Sequence, residues 1–490
     1  MISQIYLLYK SKKESFYHRN TSYGKIRKIS SHGVKDMGKR DVNMLSGSIA
    51  KGLFAISIPV MVMNVVQSMF GVLDMTILKS YDTDGMAVGA VGACGSLIVL
   101  ITGLVIGISA GANVIIAGFI GRKNYTGVNR AAGAAVAFAL TAGMVLAVIG
   151  IACAEVLLRW TNCPEVLLGR ATLYFQLYFS GVPLLMLYNF CAAIHRSTGD
   201  SRRPMIDLIT GGAVKLLASF LLVAVLRMGV AGVAIATIIG WGVTAALSLH
   251  ALTRKSGVIQ LCFRNVRFYQ PELSRILRIG IPVGLQQGLY CFANVAITAT
   301  VNSFGPAATT GVSIANNFDG ILYQICTATS LAVMPYVSQN IGAGNLKRAM
   351  QSVWKGILIT VALGASFGFL CAVFSPQLSS LMSSDREVIA FSRQKMIIIS
   401  STYFICGIND IICAALRGMG KPIAPTVSTL VFLFGLRFAW VYFVFPLLPN
   451  LTFLYLCWPV SWILSILCLL VVFFKQRKIL SQEAIIEQAM

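Results

Sequence analysis

The chain is expected to be an all-α integral membrane protein, with twelve transmembrane helices in two six-helix lobes related by a parallel repeat. Three observations carry that expectation. Of 490 residues, 57% are hydrophobic and only 12% charged, with a mean hydropathy of +0.77, and so much apolar surface does not fit inside one soluble core. The apolar residues gather in twelve runs, each about 20 residues or longer, the length that crosses a hydrocarbon core of ~30 Å. These runs fall into two sets of six that repeat each other at an offset of 221 to 223 residues. Three anchors hold the register: Pro59 with Pro282, the IGRKN motif ending at Asn124 with the IGAGN motif ending at Asn345, and Arg196, Gly199 and Pro204 with Arg417, Gly420 and Pro425. An even number of spans per unit gives both units the same orientation in the membrane, as in parallel repeats related by an axis along the membrane normal.

In chain order, residues 1–45 form a basic cytoplasmic extension, expected to be disordered and without an apolar stretch of signal-peptide length. The segment from Met37 reads like a usual opening, so residues 1–36 are either an extension or an early start. The amino-terminal lobe, 46–252, holds spans at 53–78, 86–119, 131–157, 171–194, 205–226 and 229–252. A cytoplasmic linker follows over 253–278. The carboxy-terminal lobe, 279–475, holds spans at 279–304, 307–338, 352–374, 394–416, 425–445 and 451–474, and residues 476–490 form a cytoplasmic tail. The spans read as helices because they lack two-residue alternation, and a backbone in lipid must pair internally. Gly89, Gly92, Gly95, Gly103, Gly107 and Gly111 stripe the second span at spacings that allow close backbone approach. Pro59 and Pro282 fall early in the first and seventh spans, where they read either as first-turn prolines or fixed kinks, or as hinges.

The formal net charge of +23 is not spread evenly. Lys and Arg crowd alternate loops (GRKNYTGVNR, HRSTGDSRRP, the 253–278 linker, NLKRAMQSVWK, RGMGK, KQRK), while KSYDTDG, RMG, NSFGPAA and PLLPNLT are acidic or nearly uncharged. That alternation points to a membrane topology with both termini cytoplasmic, in the inner (plasma) membrane, and not to a nucleic-acid partner. The loops around 159–170 and 385–395 are mixed. The lipid bilayer is the expected partner, and no obligate protein partner is inferred. Twelve cysteines, mostly inside apolar spans and never in CxxC spacing, read as small buried hydrophobes. With four histidines in the tail or at helix ends, neither a metal site nor a membrane enzyme gains support.

Charges within the membrane cost on the order of 2.5–3.5 kcal/mol each, so the few present are candidates for function. They are Asp74, Asp207, Lys215, Asp319, Asp410 and Arg437. Asp207 is explained by its place in the first turn of the fifth span, at the positive end of the helix dipole. Lys215 lies about 16 Å beyond Pro204, near the bilayer centre. Asp74 is only about 7 Å from the outer end of its span and could equally be an interfacial acid. In the second half Asp410 falls opposite Asn189 by the repeat register, and Arg437 within one residue of the match to Lys215. Arg437 is expected to pair with Asp319 or Asp410, with Asp319 nearer in depth, and a structural salt bridge is the plain reading of this polar network.

Residues 45–475 resemble the multidrug and toxic compound extrusion (MATE) family. The likeness rests on VMNVVQSMFGVLDMTILKSY and the glycine-rich span after it, LYNFCAAIHRSTGDSRRP, IGIPVGLQQGLY, VSQNIGAGN and CGINDIICAALRGMGKP. The resemblance implies an antiporter that exports small organic compounds, cationic or amphipathic, in exchange for H⁺ or Na⁺, with no other cofactor. It also implies that Asp74 binds the coupling ion, with Asn189 near it. Lys215 stands where relatives carry Asn, which weighs against Na⁺ and for proton coupling. The alternatives are a lipid-linked sugar flippase of the same superfamily and, from another class, a lipid-modifying membrane enzyme, for which no clustered nucleophile and base is found.

Overall fold

The computed structural model describes residues 42–82, 85–254 and 259–489. The extension expected over residues 1–45 therefore lies outside the described residues except for its last four. One of those four, Met44, is held from the other lobe: Arg348 donates from Nε to its carbonyl (2.9 Å) and, just beyond, from its two terminal nitrogens to Gly47 (3.0 Å) and Ser46 (2.7 Å).

The first half contains α1 (Ile49–Tyr81), α2 (Ala87–Gly121), α3 (Tyr125–Trp160), α4 (Glu165–Ser180), α5 (Val182–Thr198), α6 (Arg202–Phe220) and α7 (Gly229–Thr253). The second contains α8 (Gln270–Asn302), α9 (Pro306–Gly342), α10 (Leu346–Val373), the short α11 (Ser375–Ser380), α12 (Arg386–Gly418), α13 (Ile423–Ser428), α14 (Leu436–Ala439), the short α15 (Leu451–Tyr455) and α16 (Cys457–Ala489). Among the described residues, ten helical stretches are single, long and apolar enough to cross a membrane. The expected fourth span is a pair, α4 and α5, bent by 45°. The expected seventh is α8. The eleventh runs from α13 through α14 in wide π-helical turns at Thr429–Gly435 and Trp440–Val444. Two boundaries differ from expectation: α8 begins inside the 253–278 linker, and α16 continues through the tail.

The repeat is visible in which helix packs on which. Span two packs on span four as eight packs on ten; three on four as nine on ten; four on six as ten on twelve; one on five as seven on eleven. Exchange between the lobes is reciprocal, with α1 on α9 and α2 on α8.

The repeated motifs now have physical causes. Asn124 accepts from the Gly127 amide at 2.9 Å and Asn345 from the Arg348 amide at 3.0 Å, so each caps the third helix of its unit. Gly199 and Gly420 end the fourth helix of each unit at positive φ, +95° and +76°. Gly121 and Gly342 sit where a side-chain carbon would strike a backbone carbonyl of the other lobe, that of Gln339 or Gly118.

The lobes meet tightly at the end that carries the basic loops. A Cβ on Gly107 or Gly111 of α2 would collide with the α8 backbone, whereas Gly92 and Gly95, nearer the other end, face open space. Three hydrogen bonds close the same end: Ser338 to the Val114 carbonyl (2.7 Å), Gln339 to that of Ser197 (2.6 Å) and Asn340 to that of Met44 (3.2 Å). Leu53 and Ile56 of α1 are buried in one apolar cluster with Val333, Tyr336 and Val353 of the opposite lobe. The glycine stripe is thus split along the helix, Gly107 and Gly111 sealing the lobes together at the basic end while Gly92 and Gly95 meet nothing.

Candidate functional site

In the first lobe the structure brings together the two charges that depth alone placed about 9 Å apart. Lys215 Nζ on α6 lies 2.5 Å from Asp74 Oδ2 on α1. Helix crossing closes the gap, and glycines allow it. A Cβ on Gly240 of α7 would press on Lys215 Cβ at 2.7 Å, and one on Gly212 would strike the Phe70 ring, so both neighbouring helices come close to α6. Asp74 is 4% exposed, so it is packed inside the lobe and not on its surface. Its second oxygen, Oδ1, makes no hydrogen bond among the described residues. A buried carboxylate with one oxygen held by an ammonium and the other unpaired has unused capacity for a proton or a cation.

The lysine side chain, 20% exposed, reaches a cavity of about 150 Å³ lined in part by Asn64, Gln67, Tyr188, Asn189, Arg196 and Trp241. Asn189 therefore shares the space, but its Nδ2 donates to the Leu185 carbonyl at 2.8 Å rather than to Asp74. Arg196 is a site residue that the sequence marked only as a repeat anchor. It is buried and adds a second cation to the cavity wall. Asp207 is not the first-turn acid that was expected, because the helix begins at Arg202 and its first turn holds no acid; its burial is instead compensated by Arg203 Nε, 3.0 Å from Oδ1, and by Ser248 Oγ, which donates to Oδ2 at 2.7 Å.

The second lobe corrects the expected pairing of Arg437 with Asp319 or Asp410. Asp319 Oδ2 is taken by Lys395 Nζ at 3.0 Å, and Oδ1 accepts from Ser400 Oγ at 3.1 Å. Lys395 also donates to Asn316 Oδ1. The error lay in a helix boundary. Lys395 was read at the edge of a mixed loop, but α12 starts at Arg386, which carries Lys395 about 13 Å into the membrane, within a side chain's reach of Asp319. Arg437, enclosed between the two π-helical stretches, donates from Nε to Ser461 Oγ (3.2 Å) and from Nη1 to Asn294 Oδ1 (3.3 Å). Its guanidinium carbon stands 5.5 Å from the centre of the Trp458 ring. Asp319, Lys395, Asn294, Tyr403 and Trp458 line a cavity of about 210 Å³. Asp410 lies apart from that pair, half-buried on α12, with the guanidinium of Arg417 as an electrostatic neighbour. Arg417 in turn donates to Gln286 Oε1 at 2.7 Å.

Pro59 and Pro282 lie inside α1 and α8, not in their first turns. The first-turn reading is thereby removed, because both helices begin earlier than their apolar runs. Each proline interrupts the hydrogen-bond ladder of a helix that crosses between the lobes.

A protein-family model described as MatE matches residues 59–221 and again 282–443. The probable multidrug resistance protein YoeA of Bacillus subtilis is 26% identical over 401 residues, covering 80% of this chain and 86% of that protein. The FAD transporter of Shewanella oneidensis is 24% identical over 391 residues, covering 79% and 86%. Among solved structures, an outward-facing multidrug resistance MATE family transporter of the MOP superfamily matches with a TM-score of 0.80 at 19% identity, covering 90% of this chain and 98% of that one. A MOP superfamily transporter from Pyrococcus furiosus, described by the reverse polarity of its binding pocket, matches with a TM-score of 0.80 at 20% identity and the same coverage. These likenesses show the fold.

Proposed function

The chain belongs to the MatE family and crosses the membrane many times, and from that premise we propose that it is a secondary antiporter exporting small organic, amphipathic compounds against an inward flow of protons through Asp74. One observation carries the reading: Asp74 is buried, bound to Lys215 through one oxygen and unpartnered at the other. Protonation at Oδ1 would neutralise the acid, release Lys215 from its pair and leave a net positive cavity, so that proton and cationic substrate compete for one negative charge. Because the ammonium of Lys215 already occupies the place of a cation on Asp74, protons suit this site better than Na⁺.

By the positive-inside rule the sealed, basic end faces the cytoplasm of a plasma membrane, and the conformation is then the one open for release to the outside. At about 150 and 210 Å³, the lobe cavities are smaller than the roughly 300–1,000 Å³ that small-molecule sites occupy. The test is transport in vesicles with an imposed proton gradient: export by the wild type should follow the gradient, and Asp74→Asn should inhibit it while inserting normally. Unchanged gradient-driven export by Asp74→Asn would remove the proposal.

A second reading concerns substrate charge. Arg196 and Lys215 line one cavity whose lining, among the described residues, holds no carboxylate, Asp74 being paired with Lys215, and this favours an anionic or zwitterionic compound. A relative named as a FAD transporter makes a flavin dinucleotide a reasonable probe beside a cationic dye. Uptake of one but not the other distinguishes the readings. The flippase alternative gains no observation beyond the same two cations.

A further inference from the structure

A groove of about 860 Å³ opens on the second lobe between α8, α13 with the π-helical turn after it, and α16. It is separate from both charge pairs. Its composition changes along its length. Arg278 near the start of α8, Lys421 just before α13 and Lys475 near the membrane exit of α16 lie at the basic-loop end, with Gln476 beside them. Below them the walls are Ala424, Val427, Val431, Phe432, Leu469 and Val472. From Lys421 to Phe432 is 11 residues, about 16 Å of helix, or roughly half of a ~30 Å hydrocarbon core. The groove therefore runs from one membrane surface to about mid-bilayer, with cations at the surface and apolar walls beneath.

We propose that this groove binds one anionic phospholipid of the leaflet on the basic-loop side, its phosphate held by Arg278, Lys421 and Lys475 and an acyl chain lying along Val427, Val431 and Phe432. Its walls belong to membrane-spanning stretches, Ile423–Leu447 and Leu451–Glu483, so what adjoins them is lipid. The volume lies within the roughly 300–1,000 Å³ of small-molecule sites, room for a headgroup and part of an acyl chain. Among the described residues no carboxylate lines the groove to neutralise the three cations, and this selects an anionic headgroup over a zwitterionic one. Because the same groove is bounded by α8, which packs across the lobe seam on α2, an occupied groove would stabilise the sealed end.

The experiment uses the full-length protein in detergent, titrated with phosphatidylglycerol, with phosphatidylcholine of the same chains, and with glycerol phosphate, and read by native mass spectrometry and thermal unfolding. The wild type is expected to retain one phosphatidylglycerol and to unfold at higher temperature with it. Each cation near a membrane surface contributes about fivefold in affinity, so Arg278→Gln, Lys421→Gln and Lys475→Gln combined should weaken retention on the order of 100-fold. Val427→Trp, which fills the groove and leaves every charge in place, should also abolish retention and serves if the triple variant does not fold. Lys123→Gln, Lys347→Gln and Lys355→Gln combined, on the same face but outside the groove, should leave it unchanged. The proposal is overturned by equal retention of phosphatidylcholine, by an equal shift with glycerol phosphate alone, by equal loss in the control set, or by full retention in Val427→Trp.

Discussion

In the first lobe a lysine of the fifth span meets an acid of the first, Lys215 on Asp74 at 2.5 Å; in the second, a lysine of the tenth span meets an acid of the eighth, Lys395 on Asp319 at 3.0 Å. Both lobes bury a lysine–aspartate pair, but not at equivalent positions. The repeat places Ile297 where the first lobe has Asp74, and Arg437 beside the match to Lys215. On α8 that arginine donates to Asn294 Oδ1, an amide three residues before Ile297. The pairs also differ in completeness. Asp319 has both oxygens engaged, by Lys395 and Ser400, and the lysine is 3% exposed. Asp74 keeps one oxygen unpartnered, and its lysine opens on a cavity. Both pairs border a cavity, so the distinction is saturation: a pair with every carboxylate oxygen engaged resists change in its protonation or ligands, whereas one with an unpartnered oxygen can exchange them. On the proposed antiport reading, that difference favours the first lobe for coupling and gives the second-lobe pair a structural role.

The largest effect separates the two acids. Asp74→Asn is expected to reduce gradient-driven export to the level of empty vesicles with little loss of thermal stability. Asp319→Asn should do the reverse, retaining coupled transport in whatever fraction stays folded. Export lost equally in both, at unchanged stability, would erase the distinction between the lobes.

Next in size, Lys395→Met should destabilise the protein by about 3–5 kcal/mol, because it leaves a buried carboxylate without its partner. Adding Asp319→Asn should recover much of that loss, a coupling that thermal unfolding of the two single variants and the double variant measures directly. Additive losses would show that the pair does not act as a unit.

Lys215→Asn sharpens the same comparison from the other side. Removing the tethered ammonium leaves Asp74 open to a small cation, so the response of transport to sodium should rise by a factor of about five to ten. An identical sodium response in wild type and variant would reduce Lys215 to a packing role.

The smallest change is expected at Arg437→Lys. The cation is kept but the planar fork is lost, and its hydrogen bonds run to Ser461 and Asn294 rather than to an acid. A loss of about 1–2 kcal/mol follows. A loss as large as that of Lys395→Met would mean that Arg437 carries a charge pair after all.

The fold was largely legible in the residues because its causes are local or repeat along the chain. Apolar length gives spans, and the Asn124 and Asn345 caps and the left-handed Gly199 and Gly420 recur at one offset because each must end or start the same helix of its unit. The site was legible in part. Asp74, Lys215 and Asn189 stood out as polar groups in apolar runs, and all three belong to one region. Lys395 did not, since its run was read as starting one residue earlier when its helix begins at Arg386. Arg196 was visible only as a repeat anchor, without a sign that it lines a cavity.

What the sequence determined by itself is the membrane as solvent, the even-numbered parallel repeat, the basic and non-basic faces, and the short set of charges whose burial needs a reason. Those follow from hydropathy, periodicity and charge cost, which are properties of segments taken one at a time. What only the tertiary structure decided is the partner of each charge and the end at which the lobes are sealed. A pairing depends on where helices from distant parts of the chain cross and on which face each turns inward. A few ångströms of helix offset, or a glycine such as Gly240 that lets a neighbour approach, changes the partner while leaving the apolar pattern of every span unaltered.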